Sequence, residues 1–163
     1  MMLLACAAAL MSPQNAETRS AYTEVQAEQD LRATIAAFGE AIIRKDTAQF
    51  MALFADGPVI WRGVDSDTLL AKNGHPDTKA VFEPARTPRS FIEGIARRSQ
   101  TVEETFSNIR IDHDEDVAAI TFDFSYRVGG RSINEGKESW HLVRTARGWR
   151  IVSVIYSNHD PVP

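Results

Sequence analysis

Two glycine-bearing turns near the C-terminus constrain this chain more than any other feature. Gly129-Gly130 and Arg147-Gly148 divide the stretch from Ala118 to Asn158 into three long segments of β character. Two-residue hairpin turns need positive φ, which glycine adopts without steric cost, so both positions read as hairpins. The first segment alternates cleanly. Ala118, Ile120, Phe122, Phe124, Tyr126 and Val128 fall on one face, and Ala119, Thr121, Asp123, Ser125 and Arg127 on the other. An apolar sheet face needs a cover, and the upstream segments are the material for it.

Those segments are helical. Leu31, Ile35, Phe38 and Ile42 recur at helical spacing from Asp30 onward. Asp46 stands where an N-cap is needed for a second helix, Thr47–Phe54, which Gly57-Pro58 closes off. Val59-Ile60-Trp61 reads as a short strand. Gly63–Arg86 is the least patterned region, with Val81-Phe82 as one short strand candidate, and a loop of that length suits a rim or lid. Thr87-Pro88 opens a third helix whose buried face is Phe91, Ile92 and Ile95. Glu103–Asp112 is a strand, and Asp112–Asp116 a solvated acidic turn without the spacing of a calcium loop. The fold class is therefore α+β: N-terminal helices on a mainly antiparallel sheet, enclosing a cavity.

A net charge of -4 with no basic stripe argues against a nucleic-acid partner. Leu3–Met11 is an apolar run too short to cross a bilayer and suited to a secretory signal, with Ser12–Ala16 as breaker. Leu3-Leu4-Ala5-Cys6 also fits a lipobox, which would put a lipid anchor on Cys6. The expected division is an export segment over 1–16, a polar lead-in over 17–29, one domain over 30–158 and a tail over 159–163. The expected location is periplasmic or secreted, with a membrane-anchored lipoprotein as the variant. Cys6 is the sole cysteine, so the domain itself has no thiol chemistry to offer.

Register decides which side chains share a face. Counting from Gly129-Gly130 pairs Tyr126 with Ile133 and Phe124 with Glu135, which puts Glu135, Lys137, Ser139 and His141 on the aromatic face. A bulge at Gly136 would exchange His141 for Trp140. Counting from Arg147-Gly148 pairs His141 with Val154 and Ser139 with Tyr156. The opposite face then collects Trp140, Trp149, Ile151 and Ile155, an apolar surface that a second copy of the chain would cover. On this register His141, Glu135 and Tyr126 are the candidate acid–base residues, and Trp61, Tyr126, Phe124, Phe91 and Tyr156 the ligand-binding wall, with Phe54 and Phe106 behind. The histidines lack metal-ligand spacing, and neither a phosphate loop nor a nucleophile elbow is present, so no metal and no cofactor is expected.

Lys45-Asp46 with Phe50, Leu53-Phe54-Ala55-Asp56, and Gly148-Trp149-Arg150-Ile151-Val152 resemble the nuclear transport factor 2-like superfamily, in its polyketide-cyclase-like (SnoaL-like) and kinase II association-domain-like branches. The resemblance spans Leu31–Asn158. It implies a cone-shaped roll with a cavity between helices and a strongly bent sheet, usually as a homodimer. The chain departs from many relatives at Ser153 and Ile155, where they carry histidines. Three functions follow as expectations. The first is binding of a small apolar or carboxylate-bearing molecule in the cone. The second is a cofactor-independent isomerase, cyclase or dehydratase. The third is a non-catalytic dimerisation module.

Overall fold

The computed structural model describes residues 13–73, 79 and 83–161, with side chains from Glu24 onward. The apolar run Leu3–Met11, Cys6 and the pair Val81-Phe82 lie outside the described residues. Four helices and five strands follow in chain order: α1 (Pro13–Arg44), α2 (Thr47–Ala52), β1 (Ile60–Asp65), α3 (Asp67–Asn73), α4 (Pro88–Ala96), β2 (Val102–His113), β3 (Val117–Val128), β4 (Arg131–Thr145) and β5 (Gly148–Asn158). The strands form one sheet in the order β1-β5-β4-β3-β2. All neighbours are antiparallel except β1, which lies parallel to β5 and pairs Ile60 with Ser153 and Asp65 with Asn158.

Local chemistry sets the helix boundaries. Asp46 accepts from the Gln49 N–H, so α2 is capped at its expected residue. Thr87 and Ser90 exchange side-chain and backbone hydrogen bonds around the start of α4, with Pro88 opening the helix. α1 runs from Pro13 through the polar lead-in, and Gln26–Asp30 and Glu28–Arg32 pair at i,i+4 along its solvent face. In the segment read as an unpatterned loop, Asp67–Asn73 is helical and buries Leu70.

The core lies between α1, α2 and α4 and the concave face of the sheet, and aromatic rings dominate it. Phe38 on α1 touches Phe50 and Trp140, each with ring centroids 4.7 Å apart. Phe122 stands edge-on to Trp140 at 5.0 Å and to Phe106 at 4.8 Å. Edge-to-face pairs of this kind add about 0.5–1.5 kcal/mol each beyond area burial. The chain after α2 is fastened to β5 by two backbone bonds, Ala55 N–H to the Ile151 carbonyl and Ile151 N–H to that of Leu53.

Two register shifts overturn the face assignment read from the turns. The first turn forms where expected, with Gly129 and Gly130 at positive φ and Val128 opposite Arg131, whereas the second lies one residue earlier than expected, at Ala146-Arg147, with Thr145 opposite Gly148. However, Arg127 pairs with Ser132 while Tyr126 pairs with Asn134, so Ile133 is an extra residue on β4. A single inserted residue exchanges the two faces of everything beyond it. Phe124 therefore faces Gly136, Phe122 faces Glu138 and Ile120 faces Trp140. On β5, Val152 is extra in the same sense, because Leu142 pairs with Ile151 and His141 with Ser153.

Trp140 and Ile151 are fully buried, and Trp149 nearly so, in the core rather than on an outer face. Of the four residues assigned to a dimer surface, only Ile155 is exposed, so a dimer would need a different set of contacts. His141 and Glu135 move to the outer face.

Gly136, the position suspected of the bulge, has another role. A Cβ there would lie 2.0 Å from the Ser157 carbonyl oxygen. The β4 and β5 backbones thus approach more closely than any side chain allows. Gly136→Ala is expected to lower the unfolding free energy by at least about 1–3 kcal/mol, the usual cost of overpacking, as measured by urea denaturation. An unchanged urea midpoint would show that the two backbones are not held this close.

Candidate functional site

At the open end of the cone, the sheet curves away from the helices and leaves a cavity of about 400 Å³. That volume suits a small organic molecule. Its aromatic wall comes from β1 (Trp61), α4 (Phe91), β3 (Phe124, Tyr126) and β5 (Tyr156). Trp61 packs on Phe91 at 5.1 Å and edge-on to Tyr156 at 6.0 Å. Phe91 also meets Tyr126 at 6.1 Å, so the wall is continuous with the core. All five residues expected to form a ligand wall are brought together here. Phe54 and Phe106 stand behind them in the packed interior.

Two of the three candidate acid–base residues lie away from the cavity. His141 is exposed on the outer face, where it joins Ala119, Leu142 and Val152 around a shallow depression. Glu135 is outward as well, accepting from the Ser132 hydroxyl at 2.9 Å. Only Tyr126, of that trio, lines the cavity. In place of the other two the cavity floor holds Glu104 from β2 and Glu138 from β4. Both are buried, at 9% and 3% exposure.

Burial of two carboxyls side by side has a definite electrostatic result. Desolvation raises the Glu104 pKa well above its ordinary value, and the neighbouring Glu138 charge and a hydrogen bond to Glu138 raise it further. Glu138 is pushed up to about 7, again mainly by burial. Two hydrogen bonds oppose that rise by stabilising its anion. One comes from the Trp140 indole N–H at 2.9 Å and the other from Glu104. Near neutral pH the two carboxyls act as one coupled acid. Glu104 keeps the proton and donates it to Glu138, which titrates close to pH 7. The hydroxyls of Tyr126 and Tyr156 are also held protonated by burial.

A second polar chain lies at the cavity rim. Asn158 donates to Asp65 at 2.8 Å, and Asn134 donates to Asn158 at 2.7 Å. The Asp65 carboxylate can only accept, which fixes both amides in turn. The Asn134 carbonyl oxygen is left buried and without a partner among the described residues. Gly63 serves the site too. A Cβ there would come within 2.9 Å of the Tyr156 ring and hydroxyl.

Sequence reasoning missed Glu104, Glu138 and Asn134, although a signal existed. Val102, Glu104 and Phe106 alternate on β2, and Glu138, Trp140 and Leu142 alternate on β4. A carboxylate in step with large apolar residues marks a buried acid. Among the described residues no cluster of His, Cys, Asp and Glu is arranged to hold a metal ion.

A family model described as "SnoaL-like domain" matches residues 31–161. No curated protein matches the chain significantly. Among solved structures, the chain is similar to a nuclear transport factor 2-like protein with a cystatin-like fold from Novosphingobium aromaticivorans. That match has 15% identity and a TM-score of 0.65, covering 93% of this chain and 92% of the other. It is also similar to a nuclear transport factor 2-like protein from Pseudomonas putida, at 13% identity and a TM-score of 0.62, covering 82% and 87% respectively. A third is a candidate dehydratase of the same family from Streptomyces avermitilis, at 15% identity and a TM-score of 0.56, covering 82% and 97%. At these identities the likeness is one of fold.

The raised acid pair makes stability depend on pH with a predictable sign. The folded state holds protons that the unfolded chain releases above pH 4.5, so this contribution is complete below 4.5 and is lost as pH rises through about 7. The urea midpoint at pH 8 is expected to lie below that at pH 5.5. Glu138→Gln should shrink the difference, and an equal difference in that variant would refute the assignment.

Proposed function

The chain belongs to the SnoaL-like domain family of the nuclear transport factor 2-like superfamily, and from that premise we propose that it binds a small, largely apolar molecule in the cone cavity and performs cofactor-independent acid–base chemistry on it. One observation carries the reading: a buried, proton-sharing pair, Glu104 and Glu138, forms the floor of an aromatic cavity. A general base works best when its pKa lies near the working pH, and Glu138 meets that condition.

The chemistry follows from the two protonation states. The Glu138 carboxylate takes a proton from a carbon next to a carbonyl, and the electron pair moves onto the carbonyl oxygen. That developing oxyanion is stabilised by the neutral Tyr126 or Tyr156 hydroxyl, and by the Glu104 O–H, which is released from Glu138 once Glu138 has taken up the substrate's proton. Return of the proton from Glu138 to a different carbon completes an isomerisation. Where the substrate carries a β-hydroxyl, its C–O bond breaks instead and Glu104 gives its proton to the departing oxygen, forming water. The candidate dehydratase from Streptomyces avermitilis makes the second outcome a natural one to assay.

Export remains part of the proposal through Leu3–Met11 alone, and N-terminal sequencing of the protein recovered from its host would test it.

A substrate-independent assay tests the reaction class. The protein should catalyse exchange of α-hydrogens for deuterium in small aryl ketones in D2O, followed by NMR. Glu138→Gln should lower the exchange rate by about 10²–10⁴-fold, the usual contribution of a general base. His141→Ala should leave it unchanged. Exchange that survives Glu138→Gln, or is absent from the native protein, sinks the reading.

A further inference from the structure

The cavity's electrostatics say more about its ligand than its shape does. Asp65, Glu104, Glu138 and Asp160 line it, and no Lys or Arg does so among the described residues. His159 is the one lining residue able to become a cation, and it sits exposed at the rim. Two guanidinium groups outside the lining act on the cavity tyrosines. Arg86, felt by Tyr156, is bound to Glu83 at 2.7 Å, and Arg98, felt by Tyr126, is exposed. Asp160 reaches Lys72 only at 3.5 Å and lies in solvent, so it contributes little. The Glu104–Glu138 pair and Asp65 remain, and neither has a cationic partner among the described residues.

Hydrogen-bond capacity points the same way. At the rim the Asp65 carboxylate accepts from Asn158, whose own side-chain oxygen accepts from Asn134. Glu138 likewise has capacity to accept beyond its bonds from Trp140 and Glu104. The walls are π faces. Trp61 stands 5.1 Å from Phe91 at a tilted angle and 6.0 Å from Tyr156 edge-on, and all three rings line the cavity. Aromatic faces with a desolvated carboxylate attract organic cations. An anion would meet like charges at low dielectric, so a carboxylate-bearing ligand is disfavoured.

We propose that this cavity is selective for an organic cation: a small molecule with a protonated amine attached to an apolar body, the ammonium directed at Glu138 and the body against Trp61, Phe91 and Tyr156. The proposal rests on the cavity being the ligand site. It does not require that the acid pair perform catalysis, so a protein without exchange activity can still satisfy it.

The test is calorimetric titration of the native protein with three molecules of equal size: 4-phenylbutylamine, 4-phenylbutanol and 4-phenylbutyrate. At pH 8 the amine should bind at least ten-fold more tightly than the alcohol, with the carboxylate weakest. Lowering the pH to 5.5 adds a proton to the glutamate pair while the amine, with a pKa near that of lysine at about 10.4, stays charged. Amine affinity should then fall several-fold and alcohol affinity stay constant. In Glu138→Gln the amine's advantage should shrink toward parity, with the alcohol still bound. Should that variant fail to fold, the pH series on the native protein decides. Equal or tighter binding of the alcohol or carboxylate, or no binding of the amine, overturns the proposal, as does an amine preference indifferent to both pH and Glu138→Gln.

Discussion

The strict two-residue period of a β-strand is the constraint on which everything else here depends. β4 holds alternating sets, one of Glu138, Trp140 and Leu142, the other of Lys137, Ser139 and His141. Which set becomes the interior is decided at a single position, Ile133, the residue without a partner across the ladder. With Ile133 inserted, Trp140 lands between Phe38 and Phe122 and completes the aromatic core. The same parity carries Glu138 inward two residues earlier, next to Glu104. Core packing and the candidate site are therefore one choice of register. The large hydrophobic gain from burying Trp140 and Leu142 is what offsets the cost of dehydrating a carboxyl beside them.

Trp140 couples the two in a second way. Its ring is core, but its indole N–H reaches Glu138 at 2.9 Å. A buried indole needs an acceptor and a buried carboxylate needs donors, so each satisfies the other. Glu104 supplies the second donor by keeping its proton. Neither carboxyl is an isolated buried charge, and the pair stays close enough to neutrality to exchange a proton at physiological pH.

Much of the architecture was legible because it is written in local chemistry. The caps at Asp46 and Thr87, the Gly129-Gly130 turn, the parity of β3 and the short strand at Trp61 are each fixed by neighbouring residues. The aromatic wall followed, since Trp61, Phe91, Phe124, Tyr126 and Tyr156 owe their direction to those local signals. The acid pair did not, because an inserted residue has no sequence signature of its own. Ile133 looks like any β-branched strand residue, and Gly136, the obvious suspect, owes its presence to the Ser157 backbone. Starting from Trp140 and Leu142, whose bulk demands burial, would have given the right faces. Starting from the turn propagated one missed residue through the whole strand. Glu104 was hidden for another reason. Its strand bends at Asn108, where φ is +54°, so the apolar rhythm changes phase midway and Val102–Phe106 reads separately from Ile109–Ile111.

The parallel pairing of β1 with β5 bears on how this protein comes into being. Asp65 and Asn158, joined by a hydrogen bond, are 93 positions apart, and among the described residues β1 has no other strand beside it. During synthesis, Trp61 emerges from the ribosome long before the strand that will hold it. α1 and the hairpin of β2 and β3 can form contacts as they appear, but the wall carrying Trp61 must wait for β5. Until then, the aromatic side of α2 and α4 is open to solvent or to a chaperone. The cavity is thus completed after the helices and the hairpin of β2 and β3, and loss of Tyr156–Asn158 would remove its β5 wall while sparing much of the core.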